Sequence, residues 1–196
     1  MTSIPKKIMT YAEDLPEAAP LCPAALLQFG TRASIDQGLC RLARSGKLLR
    51  ICQGVYMRPI QTRWGAAAPE IGIAVKELSK LWGYPIVPNG GSAANRLGLT
   101  TQNPVRAVYW TAGCNKNLNF YGLTVELRHA PRWQLIAPHR KAGDLIRALS
   151  WLGPYEIDES LDVVWPTLAD EDLEELYTAR AILPDWMAVP ISSRMG

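Results

Sequence analysis

The feature that most constrains the fold of this chain is a helical pattern, Thr31–Ser45, that ends at Gly46. Three aliphatic residues recur at i, i+4 and i+7 on one face of it: Ile35, Leu39 and Leu42. Polar residues repeat that spacing on a different face: Gln37, Arg41 and Arg44. A helix with this pattern buries one face and exposes the other. Thr31 or Ser34 can cap its N-terminus, and glycine is favoured just beyond a helix end.

Shorter elements flank this helix on both sides. Lys6–Asp14 and Pro23–Phe29 predict two short helices before it. Two β-prone segments follow it: Leu48–Cys52 and Val55–Arg58. Gln53-Gly54, which separates them, favours a tight hairpin. Three helices followed by a basic hairpin predict a winged helix-turn-helix domain over residues 1–63.

The remaining residues, 64–196, predict a mixed α/β domain, so the expected fold class is α+β. Gln61–Pro69 is interpreted as a linker or a boundary between the two domains. Helices are predicted from periodicity and from helix-end residues at four places: Glu70–Trp82, Gly91–Leu97, Gly143–Leu152 and Pro166–Leu183. Strands are predicted at Pro85–Val87, at Val105–Thr111 after Pro104, and at two segments flanking Tyr121-Gly122: Leu118–Phe120 and Leu123–His129.

Charge is distributed unevenly along the chain, although the formal net charge is only +3. Residues 1–63 contain nine Lys or Arg and four Asp or Glu, whereas residues 64–196 contain twelve and fourteen. The basic excess therefore belongs to the N-terminal third, and it indicates a polyanionic partner for that third.

The helix and hairpin supply a set of candidate DNA-binding residues. A recognition helix docks by its apolar face and presents polar side chains to the major groove. Arginine can bind guanine bidentately, and glutamine can bind adenine in the same way. The residues expected to face double-stranded DNA are Thr31, Arg32, Ser34, Gln37, Arg41, Arg44, Lys47, Arg50 and Arg58. Of these, Arg44 and the cations of the hairpin are expected to meet phosphates.

One stretch, RASIDQGLCRLARSGKLLRICQGVYMRP, resembles the winged helix-turn-helix of AbiEi-type antitoxins. The positions that carry the resemblance are Arg32, Asp36, Leu39, Leu42, Gly46, Arg50, Ile51, Gly54 and Tyr56. The segments GGSAANRLGLTTQNP, VYWTAG and VELRHAP are similar to the family's middle region, so the resemblance covers about residues 4–153. Gly38 departs from the family pattern, which tends to have a helix former there.

The resemblance implies a function that composition alone does not. Such antitoxins bind repeats in their own promoter, repress their operon and counter a nucleotidyltransferase toxin, AbiEii, through their second domain. The chain is therefore expected to be a DNA-binding autorepressor and the antitoxin of a type IV toxin–antitoxin system. The alternatives are a protein-interaction module that neutralises the toxin mainly by contact, a stand-alone winged-helix regulator, and a nuclease or transferase.

The enzyme alternative lacks residues that would support it. Gly90-Gly91-Ser92 is similar to the Gly-Ser turn of nucleotidyltransferases, but residues 93–125 contain no Asp or Glu to hold the metal ions. The simpler interpretation is a turn that caps a helix beginning near Ser92. Neither His129 nor His139 has an acid or nucleophile at a suggestive spacing. The chain is expected not to be an enzyme and to have no catalytic residues.

Neither a cofactor nor a metal is expected. The chain has four cysteines: Cys22, Cys40, Cys52 and Cys114. None of them form the C-x-x-C pair that is typical of structural zinc sites. The first three lie in apolar patterns and are interpreted as buried residues in a reducing compartment. Met1–Asp14 has no apolar signal-peptide core, and no stretch is apolar enough for a membrane helix. We expect a cytoplasmic protein without a membrane partner.

Two charged clusters in the second domain leave their roles open. The first is a basic stretch that could form a second nucleic-acid patch or a solvated face: Arg128, Arg132, His139, Arg140 and Lys141. The second is an acidic run over 170–175 that could contact a basic partner. It could equally place favourable charge at a helix N-terminus.

Overall fold

The computed structural model describes residues 3–102 and 105–196, which form helices and three small β-sheets. This arrangement is mixed α+β, as the sequence predicts. Four positions lie outside the described residues: Met1 and Thr2, at the expected start of the first domain, and Asn103 and Pro104, before the strand predicted at 105–111. The chain divides into two units. The first runs to Gly83 and includes Asn117–Val125, whereas the second comprises Tyr84–Lys116 and Glu126–Gly196.

Three helical segments begin the first unit. They are α1 (Ile4–Glu13), a 3₁₀ helix (Pro23–Phe29) and α2 (Arg32–Arg44). Their apolar faces share one core, in which the following side chains are fully buried: Ile8, Leu26, Ile35 and Leu39. The helical pattern Thr31–Ser45 is thus confirmed to within one residue at each end.

Gly38 lies where α1 packs closely against α2. A Cβ at this position would lie 3.0 Å from Cδ1 of Ile8 and 3.3 Å from Cγ2 of Ile4. Glycine within a helix costs about 1 kcal/mol relative to alanine. Here the missing side chain allows two helices to approach, which gives a packing reason for the residue that departs from the AbiEi pattern.

A hairpin follows α2, as the sequence predicts. Its strands are β1 (Leu49–Cys52) and β2 (Val55–Met57), antiparallel, with a register shift between Arg50 and Cys52. Leu21, which precedes the 3₁₀ helix, forms a bridge with Tyr56 through two backbone hydrogen bonds. Their N···O distances are 2.7 and 2.9 Å. This bridge joins β2 to the segment between the first two helical segments.

The linker predicted over Gln61–Pro69 is wrong, because a second hairpin occupies most of it. Its strands are β3 (Ile60–Thr62) and β4 (Gly65–Ala67), paired antiparallel with Arg63-Trp64 at the turn. The next element, α3 (Ile71–Trp82), ends at Gly83, whose φ is 71°. The hairpin shows no alternation of apolar and polar residues, so its pattern gave no strand signal.

The described residues after Gly83 contribute one four-stranded sheet and five α-helices. The strands are β5 (Ile86–Pro88), β6 (Ala107–Thr111), β7 (Lys116–Phe120) and β8 (Leu123–His129), in the order β5-β6-β8-β7. The helices within residues 84–102 and 105–196 are α4 (Gly90–Arg96), α5 (Lys141–Leu152), α6 (Ile157–Val164), α7 (Asp170–Ala179) and α8 (Asp185–Met195). A core of aliphatic residues joins α5 to α8, and it includes Leu145, Leu161, Leu176 and Ile191.

Gly90 and Gly91 are the first residues of α4 and are buried against α5. A Cβ on Gly90 would lie 2.5 Å from the carbonyl oxygen of Arg147 and 2.5 Å from Cβ of Trp151. Asn89 caps the helix, because its Oδ1 accepts a hydrogen bond from the backbone N–H of Ser92 at 2.8 Å. The two glycines therefore serve the close packing of two helices.

A buried arginine is held by a carboxylate within the second unit. Nη2 of Arg147, on α5, donates to Oδ1 of Asp144 at 2.7 Å, and Nη2 of Arg96 donates to the same atom at 2.6 Å. Nη1 of Arg147 also donates to the carbonyl oxygens of Gln134 and Ile136. Burial lowers the pKa of Arg147, and the hydrogen bond to Asp144 opposes that shift.

Candidate nucleic-acid interface

The helix α2 divides its side chains between a buried and an exposed face. Gln37, Arg41 and Arg44 are exposed, whereas Ile35 and Leu39 are buried. A helix turns about 100° per residue, so the three polar positions fall within roughly 60° of one another and opposite the buried stripe. The structure therefore confirms both the apolar face and the polar face predicted for this helix.

Thr31 and Ser34 fix the beginning of α2 through their own hydrogen bonds. Oγ1 of Thr31 accepts from the backbone N–H of Ser34 at 3.4 Å and donates to Oγ of Ser34 at 3.0 Å. Oγ of Ser34 donates in turn to the carbonyl oxygen of Thr31 at 2.8 Å. Thr31 is therefore the N-cap, and both hydroxyls already have partners within the helix terminus.

The end of α2 turns the chain sharply into the hairpin. Gly46 has a φ of 71°, and the backbone N–H of Lys47 donates to the carbonyl oxygen of Leu42 at 3.0 Å. The N–H of Gly46 donates to the carbonyl of Ala43 at 3.1 Å, which completes a Schellman motif. This geometry places the exposed Lys47 between the helix and β1.

Arg32 differs from the other arginines of α2 because it forms an ion pair. Its Nε lies 3.0 Å from Oδ2 of Asp36, one turn along the helix, and both side chains are largely exposed. Such i, i+4 pairs contribute about 0.3–0.5 kcal/mol. The pair lies at one edge of the exposed face, away from Gln37 and Arg41.

The first hairpin holds two arginines in different environments. Arg50 is exposed on β1, opposite Tyr56 in the register. Burial raises the pKa of Tyr56, and the neighbouring guanidinium of Arg50 opposes this shift. Arg58 is half-buried instead, and its guanidinium donates to the carbonyl oxygens of Glu13 and Leu15 at 3.5 and 3.4 Å. Arg58 thus fastens the end of the hairpin to the end of α1.

Four cations of the predicted set have neither a salt bridge nor a side-chain hydrogen bond among residues 3–102 and 105–196. They are Arg41, Arg44, Lys47 and Arg50. All four are exposed and belong to α2, the following turn and β1. The structure therefore places unpaired positive charge on consecutive elements, whereas Thr31, Ser34 and Arg58 have structural partners.

Sequence reasoning missed the turn of the second hairpin. Trp64 is 84% exposed there, and the guanidinium carbon of Arg63 lies 4.9 Å from the centroid of its indole ring. A signal for this surface exists in the sequence, because residues 37–69 contain six Lys or Arg and no Asp or Glu. A charge count over the whole first third of the chain does not reveal this segment without carboxylates.

The basic stretch of the second unit is largely occupied by partners. Nη2 of Arg128 lies 2.7 Å from Oε2 of Glu126, and Nζ of Lys141 donates to the carbonyl oxygen of Thr167 at 3.0 Å. A guanidinium nitrogen of Arg140 lies 3.9 Å from a carboxylate oxygen of Glu171. These contacts are consistent with a surface that stabilises its own unit.

Part of the acidic run in α7 also has a structural role. Asp172 is buried, and its carboxylate accepts from the backbone N–H of Ala142 and from that of Ala169, each at 3.2 Å. It thereby satisfies donors at the beginning of α5 and of α7. Asp170, Glu171 and Glu174 remain exposed.

The described ranges contain no group of three or more His, Cys, Asp or Glu arranged to hold a metal ion. All four cysteines are free thiols, with Cys114 exposed and the other three half-buried. Burial raises the pKa of Cys22, and the nearby Cys52 adds to that shift. Among residues 3–102 and 105–196, no helix has the length and apolar character needed to cross a membrane.

Comparison with protein families matches residues 7–175 to a family of unknown function, DUF6088. Comparisons with curated proteins and with solved structures find no match. The matched range covers both units up to the middle of α7, so it includes α2, the two hairpins and the buried arginine of α5.

Proposed function

The chain belongs to the DUF6088 family, whose function is unknown, and from its own residues we propose that it binds double-stranded DNA. In this proposal residues of the first unit form a winged helix-turn-helix, with α2 as the recognition helix and the β1–β2 hairpin as the wing. The observation that carries the proposal is the exposed face of α2, where Gln37, Arg41 and Arg44 lie opposite a buried apolar face and have no side-chain partner among the residues that the structure describes.

The order of elements supports the same proposal. A helix, the bridge residue Leu21, a short helix, α2 and a two-stranded hairpin follow one another, and the isolated bridge joins Leu21 to β2. Gly30 and Thr31 make the tight connection into α2. A Cβ on Gly30 would lie 2.8 Å from Oγ of Ser34 and 2.9 Å from Cδ1 of Ile4, so a larger residue here would require these two side chains to move.

Each exposed side chain has a role in this proposal. Arg41 and Gln37 bind base edges in the major groove, where arginine prefers guanine and glutamine prefers adenine. Arg44, Lys47 and Arg50 neutralise phosphates and fix the orientation of the helix. Arg32, held by Asp36, contributes to the edge of the interface.

The biological role within the proposal rests on the resemblance to AbiEi-type antitoxins. The protein acts in the cytoplasm, binds repeats in its own promoter and represses its operon. Through its second unit it counters a nucleotidyltransferase toxin. A stand-alone regulator would share the DNA-binding part and lack the toxin.

The test measures binding of the full chain to labelled duplexes by fluorescence anisotropy. One duplex carries the DNA directly upstream of the gene, and the other is a shuffled version with the same base composition. We expect the upstream duplex to bind at least about 10³-fold more tightly, the lower end for specific over non-specific binding. Arg41→Ala should reduce this preference by about 1–3 kcal/mol, the value of one bidentate base contact.

Asp185→Ala serves as the control variant for this experiment. Asp185 lies at the beginning of α8 in the second unit and outside the proposed interface. If Arg41→Ala retains the full preference, α2 does not read base edges. If the wild-type chain binds neither duplex, the DNA-binding proposal is wrong as a whole.

A second candidate function is toxin neutralisation mainly by contact through the second unit. One observation favours it: Tyr177 on α7 and Val189 on α8 are each 64% exposed and line one shallow groove. Exposed apolar side chains that share a groove are typical of protein-binding sites. A cut at residue 64 would divide the first unit, so the test uses the full chain.

In that test Tyr177→Asp is co-expressed with the toxin encoded beside the gene. Tyr155→Asp is the matched control, because Tyr155 is 101% exposed in the same unit. Loss of protection in Tyr177→Asp with unchanged DNA affinity would support neutralisation by contact. Loss of protection in both variants, or in neither, would contradict a role for this groove.

A further inference from the structure

The turn of the β3–β4 hairpin exposes a large aromatic side chain beside an arginine. Trp64 is 84% exposed, and Arg63 stacks its guanidinium over the indole ring. Trp is highly buried on average, so an indole this exposed calls for an explanation. The pair offers an apolar plane and a positive charge at one point.

Hydrogen bonds within the turn hold this pair in place. Oγ1 of Thr62 donates to the carbonyl oxygen of Gly65 at 2.8 Å and accepts from the backbone N–H of Trp64 at 3.2 Å. The cation–π contact restricts the two side chains further. A pre-ordered turn loses less conformational entropy when it binds a partner.

The hairpin belongs to a segment of the sequence whose charged residues are all positive. Residues 37–69 contain no Asp or Glu, and their cations are Arg41, Arg44, Lys47, Arg50, Arg58 and Arg63. A segment of this kind attracts polyanions. It has no carboxylate of its own to compensate the charge of Arg63.

The beginning of β3 adjoins the proposed DNA-binding elements. Ile60 and Gln61 line the same cleft as Gly46 and Lys47, in the turn after α2. A strand advances about 3.3 Å per residue, so the turn of the hairpin lies on the order of 10 Å beyond that cleft. This distance lets one duplex reach both Lys47 and the hairpin turn.

We propose that the β3–β4 hairpin is a second DNA-contacting element, in which Arg63 binds a backbone phosphate and Trp64 packs against the adjoining sugars. This inference rests on the proposed function and extends the interface beyond α2 and the first hairpin. DNA is favoured over a protein partner because the segment offers only positive charge beside its single large exposed apolar side chain.

The experiment titrates the full chain and its variants against a labelled mixed-sequence duplex at several salt concentrations. Arg63→Gln should lower the slope of log Kd against log salt by about 0.9, the value for one lost phosphate contact. Trp64→Ala should raise Kd about tenfold, by removing apolar contact area, and should leave the slope unchanged. Both residues are exposed, so neither substitution disturbs a core.

Matched controls come from the second unit, and a reference comes from the turn after α2. Arg106→Gln and Tyr155→Ala remove side chains that are 76% and 101% exposed, and both should bind as the wild type does.

Lys47→Gln should lower the salt slope, because Lys47 belongs to the proposed interface. If Lys47→Gln has this effect while both hairpin variants match their controls, the hairpin contact is refuted and the proposed function stands. If the wild-type chain fails to bind at low salt, both are refuted.

Discussion

The two basic regions of this protein contain the same residue types and use them differently. On α2 and the first hairpin, Arg41, Arg44 and Lys47 are exposed and form no salt bridge within residues 3–102 and 105–196. In the second unit, Arg128 pairs with Glu126, and Arg147 is buried against Asp144. The first region leaves its charge available to a partner, whereas the second uses it to hold its own structure.

The difference shows that a count of Lys and Arg is a poor guide to a binding surface. What separates the regions is the position of carboxylates, which are absent from residues 37–69 and present beside the second region as Glu126, Asp144 and Glu171. Removing a cation should therefore change DNA affinity in the first region and folding stability in the second. The following variants test that contrast.

The largest expected effect is that of Arg147→Ala on stability. Removing one member of a buried ion pair leaves Asp144 and two carbonyl oxygens with fewer partners, which costs about 3–5 kcal/mol in the free energy of unfolding. Urea denaturation monitored by circular dichroism measures this change in the free energy of unfolding. Arg106→Gln is the exposed control, and a loss below about 1 kcal/mol for Arg147→Ala would show that the network does not stabilise the unit.

The next effect is on DNA affinity, from Arg44→Gln combined with Lys47→Gln. Two lost phosphate contacts should lower the salt slope by about 1.8, with stability changed by no more than about 0.5 kcal/mol. Arg140→Gln combined with Lys141→Gln removes equal charge from the second region and should leave the slope unchanged. Equal salt slopes for the two double variants would show that the two regions do not differ in their contact with DNA.

The N-caps provide a smaller and matched pair of changes. Thr31→Ala and Asn89→Ala each remove a side chain that accepts a backbone N–H at a helix beginning. Each should cost about 1 kcal/mol in thermal unfolding. Only Thr31→Ala should also weaken DNA binding, because α2 carries the proposed interface and α4 does not. A decrease in affinity for Asn89→Ala would show that affinity merely follows stability.

The smallest effect is expected for Arg128→Gln. Its ion pair with Glu126 is largely exposed on the arginine side, with 58% of that side chain accessible. Exposed pairs contribute about 0–1 kcal/mol and are screened by salt. The change in stability should be within that range, and DNA affinity should be that of the wild type. A clear loss of affinity would assign the 128–141 stretch to a second nucleic-acid patch.

Local patterns were enough to predict the proposed recognition helix and the first hairpin. The cap at Thr31, the glycine at Gly46 and the turn at Gln53-Gly54 are read from neighbouring residues, and all occur in the structure. The β3–β4 hairpin could not be predicted in this way. Apart from Ile60, its strand residues are small or polar, so no periodicity marks them as strands.

Side-chain partners distant in sequence were also beyond prediction. Arg58 donates to carbonyl oxygens of Glu13 and Leu15, more than forty residues earlier. Asp172 caps α5 through Ala142, thirty residues earlier. A linear pattern shows that such residues are charged, but only the folded chain shows whether the charge already has a partner.

The bridge between Leu21 and Tyr56 restricts the motion of the first hairpin. A two-stranded hairpin is marginally stable alone, whereas β2 of this hairpin is also bound to Leu21 by two reciprocal hydrogen bonds. Its amide protons should therefore exchange with solvent only through larger openings of the first unit, more slowly than those of the β3–β4 turn. In the proposed DNA complex, the first hairpin therefore meets the duplex as a rigid body.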